Sequence, residues 1–576
     1  MKNVRLTIFL LLLLMAAFLG LAGRCFYLQF FKTGHYCDIC LRQQQKLVMQ
    51  KPQRGEILDC RGRVLAASNK MATIFAEPRI IKDPRAVARK IAPIIAMQAS
   101  DVFTAINVSP NPGFAKLKVH ATDDQCRGAR TIYGIGVESD WRRHYPMGRL
   151  TAHIVGFTSI DNRGLTGIEL EYDTKLAGLP RQNIFLADAG RRPILLKEQK
   201  GIYSDGVGII LTIDATIQQF ARAELLKQFQ KYEAEAAIAV VAEPKTGAIL
   251  AMVSLPDFDP NEIRFTDPNL FRNRALSDQF EPGSILKPVV AAIALDAGVV
   301  NRQEKIFCEN GHYSGRGFGR IGEYREGFGD LTVRQILVKS SNIGMAKIGQ
   351  RMGKERLHRG LGLFGFGRRT ELDLPGETQG LLRPPTQWTG YSVTRIPFGQ
   401  EITVTAMQLV RAYCILANGG HSVRPYVVRA VVDNDGNIAR MRRPQNTAVG
   451  FVVKPEVAKW IVTEALVGVV NEGTGKRAKL DKWQVFGKTG TANIAKPDQR
   501  GYSDDDYVAS FICGAPAEDP VVIVLVSVRK PNKKLGKGYT GGAVASPVAA
   551  RILDRTLTYL KVPPKIDQPP VMAMAH

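Results

Sequence analysis

The stretch 281–298, EPGSILKPVVAAIALDAG, places a serine and a lysine three positions apart, Ser284 and Lys287, directly before an apolar run. Proline is accepted only in the first turn of an α-helix, so Pro288 predicts a helix that begins near Ser284. Residues i and i+3 of a helix lie on one face, and the Ser284 hydroxyl can therefore meet the Lys287 amine. The pair suits a nucleophile with its base, but also a helix cap beside a solvated lysine.

The same four-residue spacing occurs again at Ser527 and Lys530. That second pair ends an apolar run typical of a β-strand, where side chains three positions apart point to opposite faces. Only the first pair therefore has the context that a serine nucleophile needs. A helix start also offers unpaired backbone N–H groups and positive potential to a developing oxyanion.

Two further motifs follow the first in order along the chain. VKSSNIGM carries Ser340-Ser341-Asn342, between helical patterns, and VFGKTGTAN carries Lys488 to Thr491 in an apolar strand pattern. Each motif has look-alikes elsewhere, which are Ser109-Pro110-Asn111 in a proline-rich loop and Lys-Thr-Gly at 32–34 and 245–247. A single combination has the order Ser-x-x-Lys, Ser-x-Asn, Lys-Thr-Gly with a helix start, a loop and a strand.

The pattern around these motifs predicts an α+β fold, with an antiparallel sheet covered by helices. Helical spacing covers 215–232, and two apolar runs around a turn predict a hairpin over 236–256. Strand patterns return at 508–516 and 521–530, and a helix is predicted over 546–560.

The N-terminus predicts one membrane anchor. Residues 6–23 are apolar or small and carry no charge, aromatic residues follow, and Lys2 and Arg5 precede. That length nearly spans a bilayer core, and the positive start predicts a cytoplasmic N-terminus with the remainder outside. A cleaved signal peptide is the competing interpretation.

Charge, cysteines and histidines narrow the classes of function. The net charge of +25 favours polyanions, but no zinc-finger or aromatic-basic pattern accompanies it, so nucleic acid is not an expected partner. The spacing Cys37-x-x-Cys40 beside His35 is interpreted as two ordinary thiols or one local disulfide. No metal or organic cofactor is expected.

The ordered motif set resembles the penicilloyl-serine transferase superfamily, which includes penicillin-binding proteins and serine β-lactamases. The resemblance implies that Ser284 is the acylated nucleophile and Lys287 its proton acceptor, with Ser340 relaying protons and the Asn342 amide holding substrate. Lys488 would supply positive potential, and Thr489 and Thr491 would bind the terminal carboxylate of the substrate, with Gly490 between them as a further substrate-binding residue. The backbone N–H groups of Ser284 and Thr491 would form the oxyanion hole.

A longer resemblance points to class B penicillin-binding proteins of the division type. RGEILDCRGRVLA (54–66) resembles their N-terminal signature, with Cys60 where an arginine is usual, and YPMGRLTAHIVGF (145–157) and PFGQEITVT (397–405) resemble division-type transpeptidases. The implied organisation is a cytoplasmic start at 1–5, an anchor at 6–28, an elongated β-rich pedestal at 29–214, a transpeptidase domain at 215–560 and a disordered tail at 561–576.

The implied activity is a D,D-transpeptidase that cross-links peptidoglycan stem peptides through a serine acyl-enzyme and is inhibited by β-lactams. Its expected place is the bacterial inner membrane, with a periplasmic catalytic domain acting in septal synthesis beside a glycan polymerase of the SEDS type and other division proteins. The alternatives are an elongation-type transpeptidase, a β-lactamase or carboxypeptidase, and an anchored β-lactam sensor or scaffold without turnover.

Overall fold

The computed structural model describes residues 2–187, 193–324, 326–442, 450–496 and 501–564. Nineteen strands are assigned within those ranges: β1 (Gln45–Gln50), β2 (Ile57–Leu58), β3 (Val64–Ala76), β4 (Ala115–Ala121), β5 (Ile135–His144), β6 (Arg181–Ala187), β7 (Pro193–Lys200), β8 (Gly208–Leu211), β9 (Ala236–Ala242), β10 (Ile249–Leu255), β11 (Lys305–Phe307), β12 (His312–Gly315), β13 (Gly319–Gly322), β14 (Asp330–Thr332), β15 (Val428–Val432), β16 (Ile438–Met441), β17 (Phe486–Ala495), β18 (Tyr502–Ala515) and β19 (Val522–Arg529).

The same described ranges contain nineteen α-helices: α1 (Lys2–Phe30), α2 (Thr33–Gln44), α3 (Pro84–Ile95), α4 (Ala99–Val108), α5 (Asp123–Arg130), α6 (Ala152–Val155), α7 (Gly167–Glu171), α8 (Asp173–Leu176), α9 (Ala215–Lys231), α10 (Arg274–Ser277), α11 (Lys287–Asp296), α12 (Val333–Lys339), α13 (Asn342–Leu363), α14 (Gly390–Arg395), α15 (Ala406–Ala417), α16 (Pro455–Trp460), α17 (Val467–Asn471), α18 (Gly541–Val544) and α19 (Ser546–Tyr559).

The chain forms two compact units. Unit 1 comprises Met1–Arg54, Asn69–Arg142 and Ala177–Gly206, and unit 2 comprises Gly55–Ser68, Arg143–Leu176 and Val207–His576. The predicted boundary between a pedestal at 29–214 and a catalytic domain at 215–560 stays a prediction. The contacts divide the chain at other points, since two segments before residue 207 belong to unit 2.

Unit 1 combines a small sheet with the helices α1 to α5. The strands β1, β6 and β7 form an antiparallel three-stranded sheet. A separate core gathers around α3, α4 and the pairing of β4 with residues 72–76 of β3, with buried Ile74, Ile91 and Val102 at its centre. The helix α1 is long and apolar enough to cross a membrane.

Unit 2 is built on a five-stranded antiparallel sheet with the strand order β10-β9-β19-β18-β17. Successive side chains of a strand point to opposite faces, so Ile238 and Val240 join one buried cluster while Ala239 and Val241 join the other. The first cluster includes residues of α11 and α15, and the second includes residues of α9 and α19. The predicted α+β class, a sheet covered by helices, is confirmed.

Sequence periodicity located the sheet elements closely. The helix expected over 215–232 is α9, the hairpin is β9 with β10, and the helix expected over 546–560 is α19. The strand expected at 508–516 starts earlier than predicted, because β18 already pairs from Tyr502 with the end of β17. The predicted tail at 561–576 lies mostly outside the described residues.

Residues 55–66 of the sequence signature that contains Cys60 lie in unit 2, where the residues around Cys60 contact Asp214, the N-cap of α9. Arg61 and Arg63 both donate to the Asp214 carboxylate, at 2.8 and 2.7 Å, and the Cys60 thiol lies 3.8 Å from it. Two arginines next to Cys60 thus bind this carboxylate. Farther upstream, Cys37 and Cys40 are free, exposed thiols, so the local disulfide is not formed.

Candidate active site

Ser284 lies in a 3-10 turn, Gly283–Leu286, and α11 begins directly after it at Lys287. The predicted helix start is therefore correct to within one turn. Gly283 has a left-handed φ of 56°, and a Cβ there would come within 3.3 Å of the Thr491 carbonyl oxygen. The backbone angle favours glycine at this position, and a side chain there would also crowd the Thr491 carbonyl of β17.

Lys287 is fully buried and points toward the Ser-x-Asn motif. Its Nζ donates to the Ser340 carbonyl oxygen at 2.6 Å and to the Asn342 Oδ1 at 2.8 Å, and lies 3.3 Å from the Ser340 Oγ. The Ser284 hydroxyl, which is partly exposed, makes no hydrogen bond within the described part of the chain. The expected Ser284–Lys287 hydrogen bond is therefore not formed, because oxygens of the neighbouring motif hold the ammonium.

The Ser-x-Asn motif occupies the junction of two helices. Ser340 ends α12 in a left-handed conformation with φ 62°, and Ser341 caps α13 by accepting from the Gly344 N–H at 3.0 Å. Asn342 is the first residue of α13. The sharp reversal at Ser340 turns its hydroxyl toward Lys488, whose Nζ donates to it at 3.0 Å.

The Lys-Thr-Gly motif lies on β17, the edge strand of the five-stranded sheet. Lys488 and Gly490 share one face of this strand, and a Cβ on Gly490 would lie 2.9 Å from both the Pro282 carbonyl oxygen and the Ile285 side chain. The absence of a side chain at Gly490 lets the strand pass directly against the turn that carries Ser284. Ile285, a buried residue of that turn, lies against the strand at this point.

The two threonines of the motif are held by residues outside it. The Thr489 hydroxyl lies 2.6 Å from the Thr474 hydroxyl, and the Thr491 hydroxyl accepts from the Gly541 N–H at 3.0 Å. An accepting hydroxyl keeps its own proton for donation, so Thr491 retains a donor. Sequence reasoning did not single out Thr474 and Gly541, because neither belongs to one of the three motifs.

Burial controls the protonation of both lysines. Loss of solvent lowers the pKa of Lys287 to about 7, and the negative charge of Glu323 opposes that lowering. Burial, together with repulsion from Lys287, lowers the pKa of Lys488 well below its ordinary value. A substantial fraction of Lys287 is therefore a neutral amine near pH 7, which a general base requires.

Among the described residues, the look-alike motifs have structural partners of their own. The Ser527 hydroxyl pairs with Ser510 at 2.9 Å inside the sheet, while Lys530 pairs with Glu235 and Asp506. Lys245 of the second Lys-Thr-Gly pairs with Asp519. The structure thus brings together Lys287, Ser340, Asn342 and Lys488, with Ser284 and the strand at 489–491 beside them.

Comparison with known proteins gives consistent matches over both units. Residues 237–554 match the penicillin binding protein transpeptidase domain, and residues 49–206 match the penicillin-binding protein dimerisation domain. The chain is 33% identical to Stage V sporulation protein D of Bacillus subtilis over 97% of this chain and 86% of that protein. It is 30% identical to peptidoglycan D,D-transpeptidase FtsI of Escherichia coli over 89% of this chain and 84% of that protein.

A solved structure agrees with these sequence matches. Penicillin binding protein 3 from Mycobacterium tuberculosis, in complex with aztreonam, superposes with a TM-score of 0.69 at 26% identity. The match covers 92% of this chain and 100% of that one. The fold is therefore shared with a protein of known structure.

Proposed function

This chain belongs to the class B penicillin-binding proteins, and from that membership we propose that it is a serine-type peptidoglycan D,D-transpeptidase. The observation that carries the proposal is that the amines of two buried lysines, Lys287 and Lys488, both contact the Ser340 hydroxyl. This contact lies beside the turn that carries Ser284. Buried amines of lowered pKa, next to a serine at a helix start, are the groups that serine acylation needs.

In the proposed first half-reaction, the Ser284 Oγ attacks the carbonyl between two terminal D-alanines of a stem peptide. The hydroxyl proton passes to the neutral amine of Lys287, and the negative oxygen is held by the backbone N–H groups of Ser284 and Thr491. As the C–N bond breaks, the terminal D-alanine leaves with a proton relayed through the Ser340 hydroxyl, which contacts both lysines. The product is an ester on Ser284.

In the second half-reaction, an amine of another stem peptide attacks that ester. Lys287 takes a proton from the amine, a new amide bond forms, and the Ser284 oxygen leaves and regains its proton. Substrate binding is assigned to the free side of β17, with Thr489 and Thr491 toward the terminal carboxylate and the Asn342 amide on the peptide. Lys488 contributes its positive charge when protonated.

We expect the full chain in detergent to form one covalent adduct per molecule with a fluorescent penicillin. The strained β-lactam amide of the penicillin should acylate Ser284, the serine that also attacks the stem peptide. The adduct should map to the peptide containing Ser284 and persist for many minutes. Gel fluorescence and peptide mass mapping measure both. A rapidly lost label would indicate a β-lactamase, an adduct without cross-linking of stem peptides would indicate a sensor, and no adduct would refute the proposal.

The proposed location is the inner membrane, with α1 as a single span and unit 2 in the periplasm. Residues 3–30 form a helix of sufficient length and apolar character. Lys2 and Arg5 precede its apolar part, which favours a cytoplasmic N-terminus. We place the interaction with a SEDS-type polymerase and other division proteins on α1 and unit 1.

A septal role is tested by depletion of the protein from growing cells. We expect filaments without completed septa, because loss of septal cross-linking leaves elongation intact, and we expect a SEDS-type polymerase to co-purify with the full chain. Microscopy and affinity purification are the measurements, with a catalytically intact copy as the rescue control. Rounded cells on depletion would instead indicate an elongation-type transpeptidase.

A further inference from the structure

Glu323 lies in the segment directly after β13 and faces the start of α13. Its carboxylate accepts the Ser341 hydroxyl, the Asn342 N–H at 2.8 Å and the Ile343 N–H at 3.2 Å. The first N–H groups of a helix have no partner within the helix, and a carboxylate there also interacts favourably with the helix dipole. One side chain therefore holds the last two residues of the Ser-x-Asn motif, Ser341 and Asn342, together with Ile343, which follows them.

The Ser340–Asn342 junction also binds the Lys287 amine. The Lys287 amine donates to Ser340 and Asn342, the residues that flank Ser341. The Asn342 amide also donates to the carbonyl oxygen of Gly322 at 3.1 Å, next to Glu323 in the chain. Displacement of the Glu323 segment would thus move both groups that orient the amine.

We propose that Glu323 is a positioning residue of the active site, which anchors the Ser340–Asn342 junction and thereby orients Lys287. The proposal rests on the transpeptidase function, since it assigns Lys287 as the base. No motif of the sequence singled out Glu323, because it lies in an irregular segment 17 residues before Ser340.

The electrostatics support this geometry. Within the described part of the chain, Glu323, from the segment after β13, is the charge that acts on the pKa of Lys287. Lys488 on β17 contacts the same Ser340 hydroxyl, and Lys287 lowers the pKa of Lys488 in turn. The groups that α12 and α13 present, Ser340 and Asn342, do not titrate in this range. Burial lowers the pKa of Lys287, and the negative charge of Glu323 partly offsets that effect. Removal of the Glu323 charge should therefore lower the pKa of Lys287 further.

The test is the pH dependence of acylation by a fluorescent penicillin, measured on the full chain for three variants. Glu323→Gln removes the charge, Glu323→Asp keeps the charge on a shorter side chain, and Glu377→Gln is the matched control. Glu377 is a buried carboxylate that likewise accepts one hydroxyl and two backbone N–H groups, from Thr370 and Glu371. The charge of Glu377 is not among those that shift the pKa of Lys287.

For Glu323→Gln we expect the midpoint of the acidic limb to move down by about 0.5 to 1 pH unit. Its plateau rate should fall about tenfold or more, because the junction loses its anchor. Glu323→Asp should keep the wild-type midpoint. Glu377→Gln should lower thermal stability but leave the midpoint of the acidic limb unchanged.

Three results would overturn the inference. A Glu323→Gln midpoint that coincides with that of wild type would remove the link to Lys287, as would an equal shift in Glu323→Asp or in Glu377→Gln. In each of these cases wild type still acylates at Ser284, so the transpeptidase proposal survives. Absence of acylation in wild type would overturn both proposals together.

Discussion

Replacement of Ser284 by alanine is expected to abolish covalent labelling by penicillin and to reduce cross-linking by at least about a thousandfold. The reason is the loss of the only atom assigned to carry the acyl group, the Ser284 Oγ. The hydroxyl is partly exposed and makes no hydrogen bond within the described residues, so its removal should change the free energy of unfolding by less than about 0.5 kcal/mol. Intact-protein mass after incubation with penicillin measures the adduct, and thermal unfolding measures the stability.

The chain offers a matched control in its second Ser-x-x-Lys. Ser527 is buried and shares a hydrogen bond with Ser510, so Ser527→Ala should cost about 1 kcal/mol of stability yet label like wild type. Labelling of Ser284→Ala at the wild-type level, or loss of labelling in Ser527→Ala with its fold intact, would reverse the assignment of the two motifs.

Replacement of Lys287 by methionine is expected to lower the acylation rate by about a thousandfold. Methionine fits the buried volume but provides no base, and the Ser340 and Asn342 oxygens lose their donor. In wild type, the rate should rise with pH through about 7, because the pKa of Lys287 lies there and only the neutral amine accepts a proton. The residual rate of the methionine variant should lack that rise.

Rapid-mixing measurements of acylation between pH 5 and 9 provide the comparison. The control is Lys530→Met, which removes the lysine of the second motif, where it pairs with Glu235 and Asp506 on the surface. We expect that variant to keep both the rate and the profile. A Lys287→Met profile that still rises through pH 7 would transfer the role of base to another group.

The sheet and the covering helices follow from sequence because their signals are local. Period-two and helical spacing located β9, β10, α9 and α19 nearly to the residue. The division of the chain into units did not follow, since the assignment of Gly55–Ser68 and Arg143–Leu176 to unit 2 depends on contacts far apart in sequence.

The site shows the same limit in more detail. The three motifs could be selected by order and context, and their residues do lie together. The direction of the Lys287 side chain could not be foreseen, because helical spacing pairs it with Ser284 while the Ser340 and Asn342 oxygens, more than 50 residues away, attract the ammonium. Glu323 likewise acts through contacts that no periodicity records.

The position of β17 at the edge of its sheet has a consequence for selectivity. Among the described residues β17 pairs with β18 alone, and an edge strand of this kind can accept an extended peptide as a sixth strand. Such a partner is selected by backbone shape before any side chain is recognised, so helical or tightly coiled peptides are excluded at the first encounter. Edge strands are also prone to unwanted pairing between molecules, so a peptide bound along β17 would oppose self-association.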